Sequence, residues 1–432
     1  MLFNSYVFII FFVFVYFFYW FVTYKNLKLQ NLLLLLSSYV FYGWWDYRFL
    51  ILIFLSTIVD YYVGLNLEKR NNRKLFLYFS IFFNIGLLGI FKYFNFFVES
   101  FQLMLSSIGY QSADLWTLKI ILPVGISFYT FQTLSYTIDI YNNKLKPTKS
   151  FLSFGTFVAF FPQLVAGPIE KAKNLLPQIE ISRKFNYKQQ VDGLKLILWG
   201  MFKKVVIADT LAGSVDTIFY DPNNFNGGVL ILGAIYFSIQ IYCDFSGYSD
   251  IAIGLAKNLG IELKSNFNFP YFSKNIREFW QKWHISLTSW FREYLYFPLG
   301  GSKFNLIISI RNLLIIFLVS GLWHGANWTF VFWGLWHCVF YIPFFVLRKY
   351  NISLNFKISI FNKFFNFLSI NLTFLLITIS WIFFRSETIS KSFEYLTIMI
   401  YEFDIPNLHR AGLRYVFLFF IFEWLFRNNN RE

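Results

Sequence analysis

Long uncharged apolar runs, separated by short polar or basic segments, are the dominant pattern in this chain. Residues 2–22 carry no charge at all, enough to cross a bilayer whose hydrocarbon core needs ~20 residues as a helix. Comparable runs lie at about 29–45, 48–66, 75–98, 118–140, 151–168, 192–215, 228–246, 304–322, 327–347, 365–384 and 413–426. Several are short or broken by Gly and Pro, as in Pro123-Val124-Gly125 and Pro162-Gln163-Leu164-Val165-Ala166-Gly167-Pro168. Irregular backbone at membrane depth survives only where protein or a water-filled cavity covers it, so re-entrant or tilted pieces are expected there. The first run has neither a basic start nor a small-residue cleavage site, which predicts a retained helix. Lys25 and Lys28 follow it, which places the N-terminus outside and the 23–28 loop in the cytoplasm. The pattern predicts an all-α, multi-pass membrane protein.

One stretch departs from that pattern. Over 276–297, Ile276, Phe279, Trp280, Trp283, Leu287, Trp290, Phe291 and Tyr294 recur at i, i+3, i+4, i+7, an arc of roughly 120° at about 100° per residue. Arg277, Glu278, Gln281, Lys282, Arg292 and Glu293 fill the opposite side. This predicts one amphipathic helix at the membrane interface or along a cavity, with His284 on the edge of its apolar arc beside Arg277 and Thr288.

Composition agrees with a membrane chain. Of 432 residues, 57% are hydrophobic and 14% charged, against about 25% charged in soluble domains. The net charge of +15 falls in short clusters between apolar runs: Lys69, Arg70, Arg73 and Lys74, then Lys144, Lys146 and Lys149, then Lys171 and Lys173. Clusters at span ends follow the positive-inside rule and attract anionic headgroups, so nucleic acid is not the partner implied. A second use of this charge is to draw in a phosphorylated donor such as coenzyme A. Cys243 and Cys338, both in apolar context, give neither a disulfide framework nor a metal pattern.

Two of the four histidines sit in apolar surroundings, and such imidazoles mark proton chemistry unless a neighbour satisfies them. His324 follows the run 313–322, with Ser320, Gly321, Gly325 and Ala326 around it and Trp323 and Trp328 close by. Small residues permit close approach, and Trp side chains exclude water; a hydrogen bond to a nearby carbonyl is the structural alternative. His284, 40 residues earlier, reads either as a headgroup-level residue or as a second catalytic imidazole. His337 reads as structural and His409 as a solvated loop residue. Asp244 and Asp250, after the apolar run 229–243, must pair, protonate or meet water. A partner for Asp244 could be a histidine, Arg277 or Arg292, and Asp250 equally suits an N-cap. Lys203 and Lys204 are expected to snorkel to an interface, and Asp60 and Asp139 to be satisfied at helix ends. No phosphate-binding glycine loop, nucleophile elbow, HExxH or paired CxxC occurs, so no nucleotide or metal site is implied. Broken helices with intramembrane charge also suit a transporter or flippase.

The ordered stretches Phe279-Trp280-Gln281-Lys282-Trp283-His284-Ile285-Ser286-Leu287, Trp290-Phe291-Arg292-Glu293-Tyr294-Leu295-Tyr296-Phe297-Pro298-Leu299-Gly300-Gly301 and Ser320-Gly321-Leu322-Trp323-His324-Gly325 resemble the membrane-bound O-acyltransferase family. The similarity is to its bacterial branch of alginate and peptidoglycan O-acetyltransferases and D-alanyl-lipoteichoic acid transferases. Supporting stretches begin at Val124, Pro162 and Asp244, covering roughly 40–345. The chain after residue 347 and the Gly300-Gly301-Ser302-Lys303 segment depart from the family pattern.

The resemblance implies a single domain over 1–432: a funnel-like ring of tilted helices over a core of about 40–345, with C-terminal helices at 348–432. It implies a multi-pass protein of the bacterial cytoplasmic membrane that transfers an acetyl group from a cytosolic thioester, acetyl-CoA, for O-acetylation of an exported polysaccharide such as peptidoglycan or alginate. D-alanyl transfer to lipoteichoic acid is the alternative. The signature histidine carries to His324 and the second family position to His284. Trp280, Trp283, Arg277, Arg292, Asp244, Tyr248 and Trp323 are the accompanying substrate-binding candidates. No bound cofactor or metal is implied, and an extracytoplasmic esterase-like transferase is the implied partner.

Overall fold

A computed structural model describes residues 1–69, 71–110, 121–165, 167–350 and 359–427. Arg70 of the first basic cluster, residues 118–120 of the fifth apolar run and Ala166 of the Pro162–Pro168 segment lie outside the described residues. Contacts group the chain into two compact units, Met1–Ile197 with Ile251–Lys264, and Leu198–Asp250 with Ser265–Glu432.

All regular structure among the described residues is helical. The first unit holds α1 (Tyr6–Phe17), α2 (Leu27–Gly43), α3 (Leu50–Glu68), α4 (Arg73–Leu88), α5 (Phe94–Ser107), α6 (Ile126–Tyr141), α7 (Phe151–Ala159), α8 (Phe161–Leu164), α9 (Ala172–Glu180) and most of α10 (Tyr187–Met201). The second holds α11 (Asp209–Tyr220), most of α12 (Gly227–Asn258), α13 (Ile276–Lys282), α14 (Ile285–Phe291), α15 (Leu306–His324), α16 (Trp328–Lys349), α17 (Ser359–Arg385), α18 (Ile389–Tyr401) and α19 (Leu413–Phe426).

Among the described residues six helices are long and apolar enough to cross a membrane: Tyr47–Glu68, Arg73–Ser107, Gly227–Asn258, Leu306–His324, Trp328–Lys349 and Lys363–Arg385. This is a multi-pass membrane protein. Some apolar runs are not simple spans. The 151–168 run is two short buried helices that meet at Phe160, and 192–215 is interrupted by a π-helical turn, Phe202–Ala208. Helix α18, outside every apolar run above, breaks its apolar face with Lys391 and Glu394.

In the first unit, Asp60 lies in the middle of α3 and not at a helix end. It is wholly buried and accepts hydrogen bonds from Ser80 Oγ (2.5 Å) and Asn84 Nδ2 (2.8 Å) of α4. Asn84 Oδ1 in turn accepts from Ser56 and Thr133 hydroxyls, tying α3, α4 and α6 together through polar groups. Buried Arg183 donates to the Gln30 and Asn31 side chains, while Tyr19 and Trp20 donate to the Leu259 and Asn258 carbonyls.

The second unit corrects three expectations about charge. Lys203 does not snorkel: it is 1% exposed, bonds Ser246 Oγ at 2.8 Å and pairs with Asp250 at 2.7 Å. Asp250 is therefore no N-cap; it stands well inside α12. Asp244 pairs with Lys204 at 2.6 Å, and so does Asp209. Burial explains the choice, because a desolvated cation and carboxylate that face each other offset a penalty neither could bear alone. Removing one partner should then cost about 3–5 kcal/mol. We expect Lys203→Met to lower the thermal unfolding temperature of the detergent-solubilised protein markedly, and Lys204→Met, on a half-exposed pair, to lower it far less.

Candidate active site

The amphipathic stretch at 276–297 is not one helix. It runs as α13, an extended Trp283 (φ −103°, ψ 128°), a left-handed His284 (φ 44°, ψ 56°), α14, and a π-turn at Arg292–Tyr296. A left-handed residue with a Cβ costs roughly 1–2 kcal/mol, so a helical wheel drawn through this segment misplaces everything after Lys282. His284 is consequently not at a polar edge; it is 1% exposed, with its ring against Phe245 (centroids 4.6 Å) and Trp323 (5.7 Å). Neither ring nitrogen of His284 has a hydrogen-bond partner among the described residues.

His324 ends α15, and its ring lies 6.5 Å from that of His284. Trp323 (5.0 Å), Trp333 (5.0 Å) and Phe384 (5.3 Å) surround it edge-on. The position is fixed by the α15–α16 hairpin. Asn327 caps α16 through Thr329 N and also donates to the Glu387 carbonyl. The two helices approach so closely that a Cβ at Gly321 would sit 2.2 Å from the Phe330 carbonyl oxygen, and one at Gly334 the same distance from that of Phe317.

His337, expected to be merely structural, stands in the same aromatic cluster. Its ring is 4.8 Å from Trp333 and 5.0 Å from Trp280. Its Nε2 lies 3.1 Å from Ser380 Oγ, whose own proton goes to the Ile377 carbonyl, so Nε2–H is the donor. His409 is likewise not simply solvated: it is half-buried, with Nδ1 3.2 Å from Ser214 Oγ.

Beside the cluster, a cavity of about 610 Å³ runs along the hairpin. Arg277, Arg292, Arg348 and Lys349 line it, with no acidic side chain among its described lining. Trp280, Leu287, Leu313, Phe317 and Ser320 form its apolar wall. Ser320 precedes His324 by four residues, ~6 Å along a helix, whereas Lys349 reaches back to Ser309 at 3.0 Å. Ser309 is 15 residues before His324, ~22 Å along the same axis. The described lining includes neither His284 nor His324, but it runs from Lys349 at the Ser309 level to Ser320, about one turn before His324.

Of the residues singled out from sequence, His284, His324 and Trp323 come together, Trp280 joins them through Trp333, and Arg277, Arg292 and Trp280 line the cavity. Trp283 packs in the core between Tyr242, Phe267 and Trp381. Asp244 and Tyr248 are not among the described lining residues; Asp244 meets Lys204 rather than a histidine or arginine. Trp333, Phe384, Arg348 and Lys349 were not foreseen. Arg348 and Lys349 had a weak signal, as the basic end of an apolar run; Trp333 and Phe384 had none.

Residues 143–379, which include both histidines, match the family model described as MBOAT, membrane-bound O-acyltransferase family. This chain belongs to that family. It is 39% identical over 390 residues to a protein named probable alginate O-acetylase AlgI from Pseudomonas aeruginosa, covering 89% of this chain and 72% of that one. It is 35% identical over 410 residues to the peptidoglycan O-acetyltransferase of Helicobacter pylori (87% and 75% covered). Identity to the teichoic acid D-alanyltransferase of Bacillus subtilis is 27% over 245 residues (53% and 60% covered). The protein is therefore a membrane-bound O-acyltransferase.

The glycine contacts of the hairpin make a prediction. Gly321→Ala should force the two backbones apart at a cost of about 1–3 kcal/mol and lower both thermal stability and acyl transfer. Gly86→Ala on α4, where an added Cβ meets nothing within 4 Å, should leave both unchanged; calorimetric or fluorescence melts of the two variants check this.

Proposed function

We propose that this acyltransferase moves an acetyl group from cytosolic acetyl-CoA toward an exported cell-surface polysaccharide, with His324 as the base at the reacting centre. The cavity carries the reading: Arg277, Arg292, Arg348 and Lys349 line it beside aromatic and aliphatic walls, with Lys349 at the Ser309 level and Ser320 about one helical turn from His324. Guanidinium and ammonium groups without a competing carboxylate suit the phosphates of a nucleotide thioester. The same cationic end suits the cytoplasmic side by the positive-inside rule, in the bacterial cytoplasmic membrane.

In the reaction the neutral imidazole takes the proton of an acceptor hydroxyl. The hydroxyl oxygen forms a bond to the acetyl carbonyl carbon, the carbon–sulfur bond breaks, and the proton passes to the leaving thiolate to give the free thiol. Hydroxyls are poor nucleophiles without such a base, and the tryptophan walls keep competing water away. His284 orients the thioester. An extracytoplasmic esterase-like transferase is the proposed partner that completes delivery to the glycan. The resemblance to named O-acetyltransferases spans most of the chain, and that to D-alanyltransferases about half, which favours acetyl over D-alanyl transfer.

Alkali-released acetate from cell wall and surface polysaccharide should disappear in a deletion strain and in one carrying His324→Ala at normal membrane abundance. Unchanged acetate in every fraction would refute acetyl transfer. Arg348→Glu should raise the apparent KM for acetyl-CoA in membrane vesicles by about 10-fold or more, at little cost to kcat, since loss of a charged contact to a bound ligand is worth roughly 1.5–3 kcal/mol. A KM that does not move would remove the phosphates from this end of the cavity.

A further inference from the structure

We infer that Asn266 is the positioning residue that frees His284 for the substrate. The inference rests on the reading of His284 as part of the reacting centre, and it comes from how α14 begins. His284 is the N-cap of that helix, yet its side chain makes no capping bond. At a helix start the first backbone N–H groups need acceptors from outside the helix, and the N-cap side chain ordinarily provides one. Here Asn266, from a different segment, supplies them instead. Its backbone carbonyl accepts from Ile285 N (2.9 Å), and its side-chain Oδ1 accepts from both Ser286 N (3.2 Å) and Ser286 Oγ (2.9 Å). The remaining amide group donates to Ser249 Oγ on α12 at 3.3 Å.

Asn266 is itself 1% exposed, so these bonds form out of reach of water. A second rung, Asn268 N to the Lys282 carbonyl at 3.0 Å, fastens the other side of the turn. The left-handed backbone at His284 is thereby clamped from before and after. The consequence is chemical. With capping delegated to Asn266, both imidazole nitrogens stay uncommitted among the described residues while the ring is held against Phe245 and Trp323, 6.5 Å from His324. In Asn266→Ala the backbone carbonyl still accepts from Ile285 N, but Ser286 N and Oγ lose their Oδ1 acceptor and the turn that holds His284 loses its side-chain anchor.

The test is steady-state transfer from radiolabelled acetyl-CoA to exported glycan, in vesicles carrying the full-length protein, for Asn266→Ala, Asn266→Asp and His284→Ala, with melting temperatures for each. Misplacing a reacting group by an ångström costs on the order of 10- to 100-fold. Asn266→Ala should lose that much kcat with KM for acetyl-CoA within about 2- to 3-fold, since the four cations are untouched. Asn266→Asp, which keeps the Oδ1 acceptor and can accept from the Ser249 hydroxyl, should recover most of it. Wild-type kcat in Asn266→Ala, beside an inactive His284→Ala, would overturn the inference while leaving His284 in place. Equal losses in the Ala and Asp variants that track the melting temperature would reduce Asn266 to a structural role and overturn it too. Full activity in His284→Ala would instead remove the reading beneath it.

Discussion

A polar group taken out of water must find a partner inside the protein or pay the full cost of dehydration, and a chain that is 57% hydrophobic meets that constraint at every turn. The buried carboxylate of Asp60 is met by a hydroxyl and an amide, the guanidinium of Arg183 by two side-chain amides, and Lys203 by Asp250 and Ser246. His284 is treated differently. It is as deeply buried as any of these, and its nitrogens have no partner among the described residues. Other buried groups, such as the Gln132 amide and the Trp333 Nε1, also lack a partner among the described residues, but His284 combines that with a ring 6.5 Å from a second imidazole.

The scaffold exists to keep that arrangement from collapsing. Gly321 and Gly334 let α15 and α16 touch backbone to backbone, which sets the height of His324 and orients Trp333 between it and His337. A looser hairpin would admit water and let the two rings drift from their 6.5 Å separation. Aromatic edges from Trp323, Trp333 and Phe384 hold the His324 ring by shape.

Much of this was legible in the sequence, and what was not has a physical reason. Hydropathy revealed the long spans because burial in lipid demands continuous apolar runs. His324 was singled out as an imidazole at the end of such a run and by the family resemblance, and the structure places its ring beside that of His284. The wheel over 276–297 failed at a single residue, because periodicity assumes one backbone conformation and His284 adopts another. Asp244 and Asp250 were recognised as needing partners, but their partners Lys204 and Lys203 lie 40 and 47 residues away in sequence. Nothing in a local pattern reports which charge will face which. Trp333 and Phe384 are two aromatics among many, and only the packing of α15, α16 and α17 distinguishes them.

On the proposed reading that this cavity holds the donor, its shape constrains that donor more tightly than its charge alone. Arg348 and Lys349 sit near the Ser309 level of α15, ~22 Å by helix rise from His324, while Ser320 carries the lining to within one turn of that histidine. A compact anionic donor such as acetyl phosphate cannot place its phosphate among the cations and its carbonyl beside the imidazole at once. A donor that does both must be long and thin, anionic at one end and bear its thioester at the other. Nucleotide-linked and carrier-linked thioesters both have that form. They differ in the bulk they leave outside, so on that reading the discrimination falls at the Arg348–Lys349 end of the cavity and not at the histidines.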